Sequence, residues 1–273
     1  IDINNENKII WKNNPIARLK KGNNYLNPDI EIIADDALND DSNSKLTIFL
    51  NSWLSKYINE LLGDLVKLTK HKISNQYLRG LVFQLYESNG VIKRENVNQI
   101  VKLIPNEERK KLWGMGIKIG RYHIYLPKML KPKAVKFRIS LWKLFNNLSI
   151  ENEIPKSGLN FLSGANIDKN FLLLCGFEKF RNFFVRIDIL EKLFLKIINN
   201  TKNKKFKVNP EMMNLLGCSK DNFFKLMKHM NYKKDNNNVD VYSYKGYRKN
   251  KLKLKFVDKK NNPFKKLMSL NLK

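Results

Sequence analysis

Cysteine and histidine are scarce in this chain, with two and three residues among 273. Cys175 and Cys218 cannot form a disulfide framework, and no C-x-x-C pair offers the ligand spacing of a structural zinc site. No apolar run approaches the length of a membrane span, and no secretory signal is visible at the start. We therefore expect a soluble, cytoplasmic protein without a structural metal.

Catalytic motifs are also missing. The chain has no GxxxxGKS/T phosphate loop, no GxSxG nucleophile turn and no HExxH metal motif, and the glycines of 114–120 miss GxGxxG by one residue. Asp35 and Asp36 lie among further acids, which is typical of a solvated loop. His123 has no partner acid or second histidine close in sequence, so a nuclease centred on it is the least favoured interpretation. The residues themselves predict no catalytic group and no cofactor.

Acidic residues are few, 25 against 52 lysines and arginines, which gives a net charge of +27. The imbalance is local. Residues 1–111 carry 17 basic and 14 acidic residues, whereas 112–150 carry eight basic and no acidic residues, and 243–273 carry eleven and one. This asymmetry favours a polyanionic partner, and compositional drift towards lysine is the plainer alternative.

The most unusual passage, residues 114–144, combines glycines, aromatic rings and basic residues. Cations that displace counterions and flat rings that stack on bases are what a nucleic-acid strand requires. The plainer interpretation is a strand, a turn and a helix with solvated lysines. Candidate phosphate contacts are Lys118, Arg121, Lys128, Lys131, Lys133, Lys136 and Arg138. Candidate stacking residues are Tyr122, His123 and Tyr125.

Periodicity predicts the elements of the first half. Short apolar pieces separated by turn signals such as Asn13-Asn14-Pro15 predict a small β unit over residues 1–33. Apolar residues at helical spacing then predict a long amphipathic helix over 45–70. Shorter helices are expected at 74–90, 94–104 and 106–113, followed by an extended stretch at 117–125 and a helical pattern from 133 to 144.

The second half is predicted to contain a helix-turn-helix. Residues 171–177 and 183–186 read as two strands, and a helix follows over 188–198. Two short helices joined by Gly217-Cys218-Ser219 then resemble a helix-turn-helix, with wing strands over 232–247. In that arrangement Lys220, Lys225 and Lys228 would face a duplex. The plainer alternative is a helical hairpin that buries Met213, Leu216, Phe223, Leu226 and Met227.

The predicted fold class is α+β and mostly helical: a helical bundle with a small β unit, then a smaller α+β domain with a helix-turn-helix-like element and a basic tail. The expected divisions are a β connector at 1–39, a helical accessory domain with the basic stretch at 40–148, a linker at 149–166, a winged-helix-like domain at 167–244 and a disordered tail at 245–273.

Several segments together resemble one family. They are Pro15-Ile16-Ala17-Arg18-Leu19, Arg79-Gly80-Leu81-Val82-Phe83-Gln84-Leu85 with Gly90-Val91-Ile92, Gly116-Ile117-Lys118-Ile119-Gly120-Arg121-Tyr122-His123-Ile124-Tyr125-Leu126-Pro127, Leu130-Lys131-Pro132, Met212-Met213-Asn214-Leu215-Leu216-Gly217-Cys218-Ser219 and Asn262-Pro263-Phe264-Lys265-Lys266-Leu267. In this order they are similar to the C-terminal half of the alphaproteobacterial Suv3-like helicases of superfamily 2. The likeness spans nearly the whole chain, and the segment from Gly120 to Pro127 is its most specific part.

The resemblance implies a role without chemistry of its own. In that family two RecA-like domains N-terminal to this region form the ATPase, so ATP and Mg are implied only for the full-length helicase. This chain, which starts at Ile1 without an initiator Met, is then expected to be the accessory region without the motor. What carries over is support of the motor and a grip on the unwound strand, with RNA favoured by analogy.

The expected function is therefore electrostatic capture of single-stranded RNA or DNA beside a helicase motor. One alternative is a winged-helix DNA-binding regulator that uses residues 210–247 and prefers particular duplex sequences. Another is a scaffold that docks a nuclease or other protein through the helix at 45–70. No membrane partner is expected.

Overall fold

The computed structural model describes residues 1–33, 40–148, 153–164, 168–236 and 240–244. The fold is α+β and mostly helical, which confirms the predicted class. The predicted basic tail and the acidic pair Asp35 and Asp36 lie outside the described residues. Among the helices that are described, none is long and apolar enough to cross a membrane.

The N-terminal residues form an antiparallel four-stranded meander: β1 (Asp2–Ile3), β2 (Lys8–Trp11), β3 (Asn14–Asn24) and β4 (Asn27–Ile32). Lys12 and Asn13 form the two-residue turn between β2 and β3, and both have positive φ, 47° and 67°. Such turns match the right-handed twist of a hairpin. Because Ile9, Ala17 and Leu19 are buried in the main core, the small β unit packs onto the helices that follow.

A long helix, α1 (Asp40–Lys70), packs against β4 and carries the centre of the main core. Its buried residues recur every three or four positions: Leu50, Leu54, Ile58, Leu62, Leu65 and Leu68. The helix is kinked at Leu62 (φ −118°, ψ 15°), next to Gly63. A glycine beside the bend is a usual cause of such a kink.

The next six elements run helix, strand, helix, helix, strand, strand: α2 (Gln76–Glu87), β5 (Val91–Lys93), α3 (Arg94–Leu103), α4 (Asn106–Gly114), β6 (Lys118–Ile119) and β7 (His123–Tyr125). The strands are antiparallel, with β7 between β5 and β6. This is the connectivity of a winged helix, in which α3 and α4 form the helix-turn-helix and the β6–β7 hairpin is the wing. We call residues 76–125 the first winged-helix unit.

The sequence prediction missed this unit. A helical bundle followed by an extended stretch was expected, and the helices are indeed present. The sheet was missed because its strands are only two or three residues long, too short for an alternating pattern to emerge.

A 3-10 turn (Pro127–Leu130) and α5 (Pro132–Asn146) connect this unit to a small sheet-and-helix segment. That segment comprises β8 (Phe161–Ser163), α6 (Lys169–Leu174), β9 (Phe177–Phe180) and β10 (Phe183–Arg186), with β10 at the centre of the sheet.

Two predictions for this segment are wrong. The expected strand at 171–177 is mostly α6, because the Asp168 carboxylate caps the helix by accepting the Phe171 N–H at 2.9 Å. The expected linker at 149–166 contains β8, which pairs with β10. Phe161 of β8 lies close to Phe183 of β10, with ring centroids 5.2 Å apart, so an aromatic contact across strands holds a glycine- and asparagine-rich stretch in the sheet.

The remaining elements are α7 (Ile187–Asn199), β11 (Thr201–Lys202), β12 (Lys205–Lys207), α8 (Pro210–Leu216), α9 (Lys220–His229), β13 (Tyr232–Lys234) and β14 (Val241–Tyr244). Their sheet order is β11-β12-β14-β13. Apart from the added edge strand β11, the order and pairing repeat those of the first unit. We call residues 187–244 the second winged-helix unit, and its α8–α9 pair is the predicted helix-turn-helix-like element.

Arg138 of α5 links the first unit to α6. Its side chain is 1% exposed, and its guanidinium donates to the backbone carbonyls of Asn89, just after α2, and Leu174, at the end of α6. Burial lowers the pKa of Arg138 to about 10, so the group is still charged at neutral pH. Carbonyls at helix C-termini carry partial negative charge and accept a cation well. The prediction that Arg138 contacts phosphate is wrong, because its donors are used inside the core.

We predict that Arg138→Met lowers the free energy of unfolding by about 3 kcal/mol, because two buried carbonyls lose their donors. Lys136→Met is the matched control, since Lys136 is exposed on the same helix and surface changes cost about 0.5 kcal/mol or less. Urea unfolding of both variants measures the difference. Equal stabilities would contradict the assigned role of Arg138.

Candidate nucleic-acid interface

The structure divides the predicted basic stretch into two classes of residue. Six cationic residues are exposed: Lys118, Arg121, Lys128, Lys131, Lys133 and Lys136. Tyr122 is half-buried, and His123 and Tyr125 are buried together with Arg138. The exposed cations remain candidates for phosphate contact, whereas the aromatic residues have internal partners.

The wing of the first unit is held by one carboxylate from the second unit. Glu191 of α7 accepts the backbone N–H groups of Arg121 at 2.6 Å, Tyr122 at 2.8 Å and His123 at 3.0 Å. Three successive amides that converge on an anion form a nest, and such bonds to a charged acceptor are stronger than neutral ones. Because Glu191 is buried, water does not compete for these donors.

Gly120 is required at this point by close approach. A Cβ atom built on Gly120 would lie 2.3 Å from Cδ of Glu191, far inside van der Waals contact. The carbonyl of Gly120 accepts a hydrogen bond from Arg94 Nη1 at 2.7 Å, and the backbone N–H of Arg94 donates to the Tyr122 carbonyl at 2.8 Å. The turn is therefore fixed from both sides.

His123 lies beneath this turn between two acids. Its Nε2 is 2.7 Å from Glu178 Oε2, and Lys93 also pairs with Glu178. Its Nδ1 is 3.9 Å from Glu191 Oε1, beyond hydrogen-bonding distance, so that attraction is coulombic. Burial alone lowers the pKa of His123, but the two carboxylates outweigh it and the net pKa is raised. Burial likewise opposes the ionisation of Glu178, yet His123 and Lys93 hold the pKa of that carboxyl below its usual value.

Tyr122 belongs to an aromatic cluster between the two units. Its ring meets Phe180 and Phe194 edge-on, with centroids 6.5 and 5.7 Å away, and burial raises the pKa of its hydroxyl, with Tyr232 adding to the effect. The guanidinium of Arg121 lies 5.7 Å from the Phe194 ring centroid, on the outer side of the cluster. We call this contact region, from Gly120 to His123 with Glu178 and Glu191, the wing joint.

Two of the predicted stacking residues are therefore wrong as surface contacts. His123 is 1% exposed and is enclosed by the wing joint, and Tyr125 packs against Val91 and Ile187. Neither ring can meet a base while the joint is closed. Tyr122 retains partial exposure, but its ring faces are bounded by phenylalanines.

The helix-turn-helix of the second unit has the capping that its sequence suggests. Asn209 caps α8 by accepting the Met212 N–H at 3.0 Å, and Ser219 caps α9 by accepting the Asn222 N–H at 3.3 Å. Gly217 ends α8 with φ of 66°, a left-handed conformation that glycine adopts without strain. Local sequence thus determines the angle between the two helices.

One side of α9 is buried and the other carries lysines. Phe223, Leu226 and Met227 are buried in the core of the second unit. The predicted contacts Lys220, Lys225 and Lys228 are exposed, and at 100° per residue they fall within an arc of about 140°. The hairpin interpretation and the interface interpretation are therefore compatible, since they describe opposite faces of one helix.

The strand after α9 extends this basic face. Lys220 of α9 and Lys234 of β13 both lie over the ring of Phe224, with Nζ 5.5 and 5.7 Å from its centroid. Lys233 is also exposed, but as the next residue of the strand it points to the other side of the sheet from Lys234. Two acids lie in this region, Asp240 at 3.6 Å from Lys220 and Asp221 in the first turn of α9. We call the set Lys220, Phe224, Lys225, Lys228 and Lys234 the α9–β13 face.

The sequence prediction missed two members of this face, Lys234 and Phe224. Lys234 lies where a wing strand was expected, so strand alternation would have placed it on the same side of the sheet as Tyr232. Phe224 was missed because its neighbour Phe223 is the buried ring of the pair, and only the helix angle distinguishes the two. The lysines of the 3-10 turn and α5 form a separate group, in which Lys128 of the 3-10 turn is paired with Asp64 at 3.1 Å.

No group of histidine, cysteine and carboxylate side chains in the described ranges could hold a metal ion. The wing joint is a buried ion network, whereas the α9–β13 face is an exposed cationic surface and is open to a ligand.

We predict that Gly120→Ala lowers the free energy of unfolding by about 3 kcal/mol, because the methyl group collides with Glu191. Gly80→Ala is the control. Gly80 lies in α2, a Cβ there meets no atom within 4 Å, and alanine should stabilise that helix by about 1 kcal/mol. In a Glu191→Ala background Gly120→Ala should cost less, which a double-mutant cycle by urea unfolding measures. Additive costs would contradict the contact.

We predict a pH dependence with a defined sign for His123. Its pKa is raised on folding, so the stability it contributes is complete below about pH 6.5 and is lost as pH rises through the folded value. The pKa of Glu178 is lowered on folding, so the stability that this carboxylate contributes is present above about pH 4.5 and is lost as pH falls below that value. The difference in unfolding midpoint between wild type and His123→Gln should therefore narrow as pH rises above about 6.5. A constant or widening difference would show that the charged imidazolium does not stabilise the joint.

No protein-family model, curated protein sequence or solved structure matches this chain. The likeness to Suv3-like helicases therefore stays a prediction from the sequence. The function is therefore inferred from two features of the chain, the internal wing joint and the exposed α9–β13 face.

Proposed function

We propose that this chain binds nucleic acid through the α9–β13 face, as the C-terminal accessory region of an ATP-dependent RNA helicase of the Suv3-like kind. The observation that carries the proposal is that Lys220 and Lys234 lie over the Phe224 ring, on the side of α9 that also exposes Lys225 and Lys228. In a winged helix that side is the one free to approach a nucleic acid.

Electrostatics supports this choice of surface. The lysines of α9 and β13 replace condensed counterions when they meet phosphates, which favours binding at low salt. Asp221 is the only acid within α9, and it lies in the first turn, where it stabilises the helix. The aromatic ring between Lys220 and Lys234 adds a flat apolar contact for a sugar or base.

Lysine contacts to phosphate carry no sequence information. We therefore expect the face to accept RNA and DNA with similar affinity, and we place strand capture beside the motor, as the resemblance implies. Any ATP hydrolysis, with its Mg ion, belongs to RecA-like domains outside this sequence, because the chain contains no phosphate loop.

A winged-helix DNA regulator is the second candidate, and the topology of both units favours it. It uses the same face but requires side chains that read base edges. The two candidates differ in one observable: a regulator prefers one duplex sequence over unrelated competitors, whereas a helicase accessory region binds them equally.

We predict that Lys225→Ala/Lys228→Ala weakens binding to a duplex and reduces the slope of log affinity against log salt by about 2, about one per phosphate contact removed. Fluorescence anisotropy over a salt series measures both quantities. Lys133→Ala/Lys136→Ala is the matched control, because it removes the same charge from α5.

An equal effect of the two pairs would show that net charge alone drives binding. A larger effect of the α5 pair would place the phosphate contacts in the basic stretch, as the sequence predicts. If the α9–β13 face is the binding surface, the larger loss of affinity and of salt slope must come from the Lys225→Ala/Lys228→Ala variant.

A further inference from the structure

The second helix of the helix-turn-helix exposes different side chains in the two winged-helix units. Helix α4 of the first unit occupies the position that α9 occupies in the second, since each is the second helix of its helix-turn-helix and precedes the wing. The exposed side of α9 is lysine-rich. That of α4 carries Glu107, Lys110, Lys111 and Trp113, with almost no net charge.

Trp113 is the distinctive residue of α4. Its side chain is 79% exposed, more than any other large apolar residue in the described ranges. The preceding Leu112 is fully buried and fixes which side of the helix faces the core.

The surface around Trp113 is polar, which argues against a protein contact. Its neighbours one and two turns earlier on the helix are Lys110 and Asn106, both exposed. The exposed Leu103 belongs to the preceding helix, as the last residue of α3. A protein interface core needs a contiguous apolar patch, and a lone ring does not provide one.

Two lysines close in sequence to Trp113 are available to phosphates. Lys110 lies one helical turn before Trp113, and Lys118 lies five residues after it, on β6. Both are exposed, and neither forms an ion pair within the described part of the chain, whereas Lys111 is paired with Glu108 at 2.6 Å. An exposed ring with a free amine one turn away matches what an unpaired nucleotide offers, a base to stack and a phosphate to neutralise.

We propose that Trp113 is a stacking platform for an unpaired base, with Lys110 and Lys118 contacting the adjoining phosphates. The site rests on the proposed function and deepens it, because it names the ligand class. The second unit holds phosphates through the α9–β13 face, and the first unit takes a single-stranded segment. The preferred ligand is then a duplex that continues into a single strand.

The test uses the full chain, a short oligothymidylate, a blunt duplex and the same duplex with a single-stranded tail. Binding is followed by anisotropy and by quenching of tryptophan emission for wild type, Trp113→Ala and Trp113→Phe. Trp11→Ala is the control, because Trp11 is also exposed and has a lysine over its ring, but lies in the N-terminal sheet.

We expect Trp113→Ala to weaken oligothymidylate binding by about tenfold, the scale of one stacked base. Trp113→Phe should lose less affinity but abolish most of the quenching. The tailed duplex should lose its advantage over the blunt duplex in Trp113→Ala, and Trp11→Ala should behave as wild type.

Three results would overturn the stacking site. If Trp113→Ala leaves single-strand affinity and quenching unchanged while Lys225→Ala/Lys228→Ala still weakens the duplex, the stacking site is refuted and the proposed function stands. If no probe binds in a salt-sensitive manner, the proposed function fails and the stacking site with it. If Trp113→Ala changes only the sedimentation of the chain, the ring is a protein contact.

Discussion

The carboxylate of Glu191 accepts the backbone N–H groups of Arg121, Tyr122 and His123, and this interaction joins the two winged-helix units. It determines where the wing of the first unit lies, and it explains why a glycine precedes the wing tip. A buried carboxylate is stable only when its charge is compensated. The three amides provide that compensation to Glu191.

The joint also brings several buried charged groups into contact with one another. Lys93, His123, Glu178 and Glu191 interact with one another inside it, which leaves the lysines of α9 and β13 as an exposed cationic surface. Because the wing of the first unit is held inside the protein, it cannot enter a groove of a bound nucleic acid. The first unit therefore presents α4 to the outside, and the second unit presents both its helix and its wing strand.

Much of the fold could be predicted from the sequence, and the errors have specific causes. The capped helices α8 and α9 follow from Gly217 and Ser219, because caps are local signals. The first winged helix could not be recognised, because its two- and three-residue strands are defined by pairing with distant residues. His123 was predicted to stack on a base and Arg138 to contact phosphate, because their partners, Glu178 and the Leu174 carbonyl, are 55 and 36 residues away in the sequence.

The central claim is that residues 120–123 are an internal joint and that the α9–β13 face meets the ligand. Amide hydrogen exchange of the full chain, with and without a nucleic-acid duplex, tests it most directly. The account predicts slow exchange at Arg121, Tyr122 and His123 in the free chain, no change there on binding, and new protection over residues 220–234. Fast exchange at the three amides in the free chain, followed by protection when the duplex binds, would contradict it and would identify the wing as the grip.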